Sequence, residues 1–352
     1  MGVAGPTRTI EARSSGQGRA VRGASAVALS VAGALVLAGC GGGSDGGTAA
    51  RTERTTSTTA APAGRDPICG DGTYDGRHYV LCTAGETPGQ GLVVALHGRG
   101  SSGAEMRAVT ELDRHAAQAG LAVVYPDALV DGWGDDTFAS PTRPGGAEDV
   151  VFLEALVREL QADPRIDEGP IGTVGFSNGA SMALRYASDR PDGVRAVVSV
   201  AGQLPRDPRI RPFGRVPLLA VYGTADPLRP YETGIPMRPG RRPGDPTPTL
   251  PTSLTIAAFV AVGGGSAEHR ATVDTDADPA DGTRLRTERW TDDDGTVAVL
   301  RTIVDGGHTW PSSRGQFSGG DGFGATSREI DASAEAIAFL IDPDDGGRRL
   351  RQ

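Results

Sequence analysis

The sequence predicts an α/β fold, a mainly parallel sheet flanked by helices in a single domain without a large lid. Strand-like and helix-like segments alternate between residues 66 and 345, the order a parallel sheet needs because each strand is reached by a crossover. The strand-like segments are continuous apolar runs rather than alternating ones, as strands covered on both faces should be. Val150, Val151, Leu153, Leu156, Val157 and Leu160 recur at helical spacing, which gives one helix an apolar stripe to lay on that sheet.

A hairpin around Cys69 and Cys82 precedes the first buried run. That run, 92–96, is closed by the Gly-rich turn Leu96-His97-Gly98-Arg99-Gly100, and a helix over 102–119 follows. Residues 121–125 form the next strand, ending at Pro126-Asp127, and 147–161 the striped helix. Residues 171–176 run directly into a helix over 178–188, while 196–200 and 217–222 are two further strands. The stretch 229–251 is dense in Pro, Gly and Arg and reads as a long surface loop. A helix over 254–262, a strand over 297–304 and a helix over 327–341 complete the chain. The turns 274–282 and 292–295 are acidic. The first has the outline of a calcium loop, but Pro279 stands at its glycine position and Leu285 at its final glutamate position, so both turns read as solvated.

Composition removes several function classes. The formal net charge is −9, and all 35 basic residues are Arg. A chain without lysine forms no Schiff base and has no Walker-type phosphate lysine. The acidic balance argues against general nucleic-acid binding, which needs clustered positive charge.

Residues 1–39 have the layout of an export signal: Arg8, Arg13, Arg19 and Arg22 precede an uncharged apolar run over 24–38, too short to span a bilayer comfortably. The run ends in Leu37-Ala38-Gly39-Cys40, which resembles a bacterial lipoprotein signal and makes Cys40 the expected lipidation site. Residues 40–65 are Gly, Ser, Thr, Ala and Pro with almost no large apolar side chain, the composition of a flexible stalk. Cys69 and Cys82 remain as an even pair in an exported chain and are expected to form a disulfide, stabilising the hairpin by roughly 3 kcal/mol. The expected organisation is a signal peptide (1–39), a stalk (40–65), one folded domain (66–345) and a polar tail (346–352).

The pattern Gly-x-Ser-x-Gly occurs at residues 42–46 and at 175–179. Only the second has a strand before it and a helix after it, the strand–turn–helix that exposes a nucleophilic serine, here Ser177. Without the catalytic role, Ser177 would be a helix N-cap. A serine nucleophile needs a base, and the five histidines are His78, His97, His115, His269 and His308. Only His308 lies far downstream, in a Gly-rich turn after the strand 297–304. The orienting acid should follow a strand between the two; Asp226, in Gly223-Thr224-Ala225-Asp226-Pro227, fits, and Asp207 ranks behind it. Negative charge developing on an attacked carbonyl needs two backbone N–H donors. Asn178 supplies one, and Arg99, or secondarily Gly98, the other, with His97 bracing the turn. Asp149 reads as a favourable charge in the first turn of its helix.

The same turn offers a rival. Gly98-Arg99-Gly100-Ser101-Ser102-Gly103 matches the dinucleotide pattern Gly-x-Gly-x-x-Gly, with Asp127 placed for a ribose. Export and the ordered Ser, Asp and His weigh against it.

With these residues in place, the stretch from Tyr79 to Ile341 resembles the esterase family of polyhydroxybutyrate depolymerases and feruloyl or acetylxylan esterases. The matching pieces are Val93-Val94-Ala95-Leu96-His97-Gly98, Val123-Val124-Tyr125-Pro126-Asp127, Gly132-Trp133, Glu148-Asp149-Val150, Gly175-Phe176-Ser177-Asn178-Gly179, Tyr222-Gly223-Thr224-Ala225-Asp226-Pro227 and Gly307-His308-Thr309-Trp310-Pro311. The resemblance implies an α/β-hydrolase fold and carboxylic-ester hydrolysis through Ser177, Asp226 and His308. It requires no cofactor and no metal. Trp133 and Trp310 are candidates for pocket aromatics, with core packing the alternative for either. Small or polymer-derived esters are the expected substrates, since no substrate-adsorbing domain follows residue 345. The lipid anchor would be the chain's only tie to a membrane, at the outer face of the cell envelope. A serine peptidase on this fold and a non-catalytic surface-binding protein are the alternatives.

Overall fold

The computed structural model describes residues 66–344 apart from 130–131, 135–145, 207–210, 236–247, 264–266, 273, 316 and 318–319. The expected signal segment 1–39, Cys40, the stalk 40–65, Asp207, the middle of the 229–251 loop and the tail 346–352 lie outside the described residues. In chain order the strands are β1 (Ile68–Tyr74), β2 (Arg77–Thr83), β3 (Leu92–Leu96), β4 (Ala122–Pro126), β5 (Ile171–Phe176), β6 (Val194–Val200), β7 (Leu218–Gly223), β8 (Glu268–Ala271), β9 (Arg284–Asp292) and β10 (Gly295–Val304). The helices are α1 (Gly103–Thr110), α2 (Leu112–Gln118), α3 (Gly146–Gln161), α4 (Asn178–Asp189), α5 (Thr252–Val260) and α6 (Ala332–Ile341).

All these strands join one sheet in the order β1-β2-β4-β3-β5-β6-β7-β10-β9-β8. The central six, from β4 to β10, are parallel. Antiparallel pairs β1–β2 and β9–β8 extend the two edges. The continuous apolar runs are the parallel strands: β3, β4, β5 and β7 are buried at every residue. Leu153, Leu156, Met182 and Ile256 from α3, α4 and α5 cover one face. Met106, Leu112, Ile337 and Leu340 from α1, α2 and α6 cover the other. Strand order reverses at β3, which lies between β4 and β5, and in open α/β sheets ligands bind beyond the strand ends at such a point.

Three regions differ from expectation. The helix over 102–119 is broken at Glu111, whose φ of 49° is left-handed, so that α1 ends and α2 begins there. The helix expected to begin at 327 starts at Ala332, because the Asp331 carboxylate accepts from the Ser333 and Ala334 N–H groups and caps it. Strands β8 and β9 flank the acidic turn 274–282 in mostly charged and polar segments, for which the sequence predicts no element. Cys69 and Cys82 form a disulfide between directly opposed positions of β1 and β2.

Candidate active site

Ser177 ends β5 and turns the chain into α4 with φ 55° and ψ −115°, a conformation costly for any residue with a Cβ. The flanking glycines make the turn possible. A Cβ on Gly175 would strike the Gly179 carbonyl, and one on Gly179 the Leu96 carbonyl. The Ser177 N–H is held by the Val200 carbonyl at 2.9 Å. Its hydroxyl makes no capping bond to α4 and lies 2.8 Å from His308 Nε2.

His308 follows β10 through a turn whose glycines let it approach its neighbours closely. The His308 N–H donates to the Phe323 carbonyl at 2.6 Å and the Gly307 N–H to the Ala325 carbonyl at 2.9 Å. On the far side of the ring, Nδ1 is 2.6 Å from Asp226 Oδ2. A carboxylate there fixes the tautomer, with the proton on Nδ1 and the lone pair of Nε2 facing the serine. Asp226, beyond the end of β7, uses its other oxygen to accept from the Leu228 and Arg229 N–H groups, both at 2.8 Å. Tyr222 supports this loop by donating to the Arg229 carbonyl at 3.0 Å. Burial, and after it the negative Asp226, pushes the Tyr222 phenol well above its ordinary range, so it remains a neutral donor. Three strand ends thus bring Ser177, His308 and Asp226 into one hydrogen-bonded chain. Such a chain can take a proton from a hydroxyl and stabilise the imidazolium formed.

A cavity of about 320 Å³ opens on Ser177 and His308, bounded by Gly98, Arg99, Asn178, Leu228, Arg229 and Ile235 together with aromatic rings. Phe176 and Phe317 stack at 4.3 Å and 10°, and Phe323 meets the His308 ring edge-on at 5.7 Å. Trp133 and Trp310, the candidate pocket aromatics, do not line this cavity; core packing, the alternative for either, is what the structure shows. Both are fully buried in the core, because each indole N–H has an internal acceptor. Trp133 Nε1 donates to the His97 carbonyl at 3.1 Å and Trp310 Nε1 to Ser333 Oγ at 3.0 Å. Phe176 was legible inside the serine motif. Phe317 and Leu228 sit in irregular segments and leave no periodic signal.

His97 is buried against its own turn. Its Nε2 accepts from the Ala128 N–H at 3.0 Å, which places the proton on Nδ1, 2.7 Å from the Gly98 carbonyl. Asp149, read as a favourable charge in its helix's first turn, does lie in the first turn of α3 but is completely buried there. It pairs with Arg77 at 2.5 Å and accepts from the Gly134 N–H at 2.6 Å. Asp127, the ribose candidate of the dinucleotide pattern, instead folds back to accept from the Gly103 N–H at 2.7 Å.

The family described as Phospholipase/Carboxylesterase matches residues 78–239. The chain is 36% identical over 259 residues to the esterase NocK of Nocardia uniformis subsp. tsuyamanensis, covering 72% of this chain and 74% of that one. It is 27% identical over 184 residues to feruloyl esterase C of Emericella nidulans, spanning 47% of this chain and 62% of that enzyme. Among solved structures, an acetyl xylan esterase from Aspergillus awamori aligns with a TM-score of 0.47 at 14% identity, over 67% of this chain and 92% of the other. With the identity to NocK sustained over most of both chains, the protein belongs to the esterase family of α/β-hydrolases and is a hydrolase of ester bonds.

Proposed function

We propose that the protein is an exported serine esterase that cleaves carboxylic esters through an acyl-enzyme on Ser177. The observation that carries this is the unbroken chain Ser177 Oγ–His308–Asp226, at 2.8 and 2.6 Å. His308 Nε2 takes the hydroxyl proton as Oγ attacks the ester carbonyl, and Asp226 holds the ring and balances its charge. The tetrahedral oxyanion accepts from the backbone N–H groups of Arg99 and Asn178, with Gly98 beside them. His308 then protonates the leaving alcohol, and water, deprotonated by the same imidazole, releases the acid. These steps need no cofactor or metal.

The stacked Phe176 and Phe317 rings give the cavity a flat apolar wall, which suits a planar acyl or alcohol group. The likeness to a feruloyl esterase points to the same class of ester. The catalytic unit is residues 66–345, delivered by the signal 1–39 and tethered through Cys40 by the stalk 40–65. The Cys69–Cys82 bridge favours an oxidising compartment.

Residues 66–345 assayed on 4-nitrophenyl esters of several acyl lengths, beside Ser177→Ala and Asp226→Asn, test the assignment. Wild type should hydrolyse at least one ester, and each substitution should lower kcat by about 10⁴-fold or more. A Ser177→Ala enzyme of undiminished kcat would overturn the nucleophile.

A further inference from the structure

We propose that Trp133 is a positioning residue of the esterase reaction, the strut that holds the two oxyanion donors in register; this rests on the assignment of Arg99 and Asn178 above. The donors belong to different loops, one after β3 and one opening α4, and Trp133 is bonded to both. Its indole N–H donates to the His97 carbonyl at 3.1 Å. Its backbone N–H donates to Asn178 Oδ1 at 2.7 Å, and its carbonyl accepts from Asn178 Nδ2 at 3.0 Å. The Asn178 carboxamide therefore grips the Trp133 backbone at two points while its own backbone N–H is left for the oxyanion.

On the other loop the His97 ring, tilted against the Trp133 indole at 5.5 Å, donates to the Gly98 carbonyl. That carbonyl and the Arg99 N–H share one peptide plane. In a trans peptide they point in opposite directions, so pinning the first aims the second. The strut is itself anchored. A Cβ on Gly132 would lie 2.6 Å from Asn178 Oδ1, and Gly134 is tied to the buried Asp149, which pairs with Arg77. The Arg77 guanidinium in turn lies 3.9 Å over the Phe152 ring of α3.

Trp133→Phe removes the indole N–H and leaves both backbone bonds to Asn178. Asn178→Ala removes the grip and leaves the backbone donor. Each is compared with wild type for kcat and KM on a 4-nitrophenyl ester and for Ki of a short alkyl trifluoromethyl ketone, whose tetrahedral adduct places an oxyanion in the hole. We expect kcat to fall about 10- to 100-fold, KM to stay within about twofold, and the ketone Ki to rise in proportion to the lost kcat/KM. Unchanged ketone affinity, or a loss expressed in KM alone, overturns the proposal. Urea unfolding checks that each variant is folded, and if Trp133→Phe is not, Asn178→Ala decides. Full activity in Ser177→Ala would refute the esterase mechanism itself, whereas an inactive Ser177→Ala beside an unaffected Trp133→Phe refutes only the strut.

Discussion

His97 Nδ1 donates to Gly98 and its Nε2 accepts from Ala128, so a second ring proton would meet an N–H with no acceptor. Burial holds the imidazole below its ordinary 6.5, against the smaller opposing effects of the Gly98 bond and of Asp127 and Glu105. In the unfolded chain His97 takes up a proton near 6.5, while in the native protein it does so only at lower pH. The unfolded state therefore binds more protons in that window, and stability falls as pH drops below about 6.5, by at most about 1.4 kcal/mol per pH unit. Urea unfolding of wild type and His97→Asn between pH 5 and 7 checks this, the variant showing the shallower dependence. Much at this scale was legible: glycines flanking Ser177, and the chain order of serine, acid and histidine, follow from the needs of a strained turn and a proton relay. The direction a tryptophan faces does not. Trp133 and Trp310 neighbour the motifs in sequence, yet both indoles turn inward to protein acceptors.

Among the elements, the hairpin β1–β2 forms one edge of the sheet, three strands from the β5 end that carries Ser177. β1 is largely exposed and buries little apolar surface of its own, so its bridge to β2 bears more of the hairpin's stability than a core strand would need. The double variant Cys69→Ala/Cys82→Ala should unfold with about 3 kcal/mol less stability, measured by urea titration, with kcat on a nitrophenyl ester unchanged. A fall in kcat without loss of stability would contradict the separation of edge and site. The parallel strands were legible because double-sided burial leaves continuous apolar runs. β9 was not, since it is half-buried with Arg, Glu and Asp along its length. The break between α1 and α2 was hidden because the left-handed residue is Glu111 rather than a glycine.

For the molecule as a whole, β3, β5, β7 and β10 deliver the Gly98–Arg99 turn, Ser177, Asp226 and His308 to the C-terminal ends of the parallel strands, with parallel pairing fixing their relative height. The chain that surrounds this site is acidic overall, with net charge −9, and on the proposed export, removal of residues 1–39 with their four arginines would make the remaining chain more so. If Cys40 carries the lipid, Cys40→Ala should move the protein from the membrane fraction to the medium without altering specific activity; retention in the membrane would count against that anchor. The chain's three tryptophans also make the molecule self-reporting. Trp133 and Trp310 are fully buried behind the two halves of the site, and Trp290 is a partly buried residue of β9. Emission from the first two is therefore blue-shifted in the native state, and its red shift on loosening of the loops around Ser177 would register as an optical signal without an attached dye.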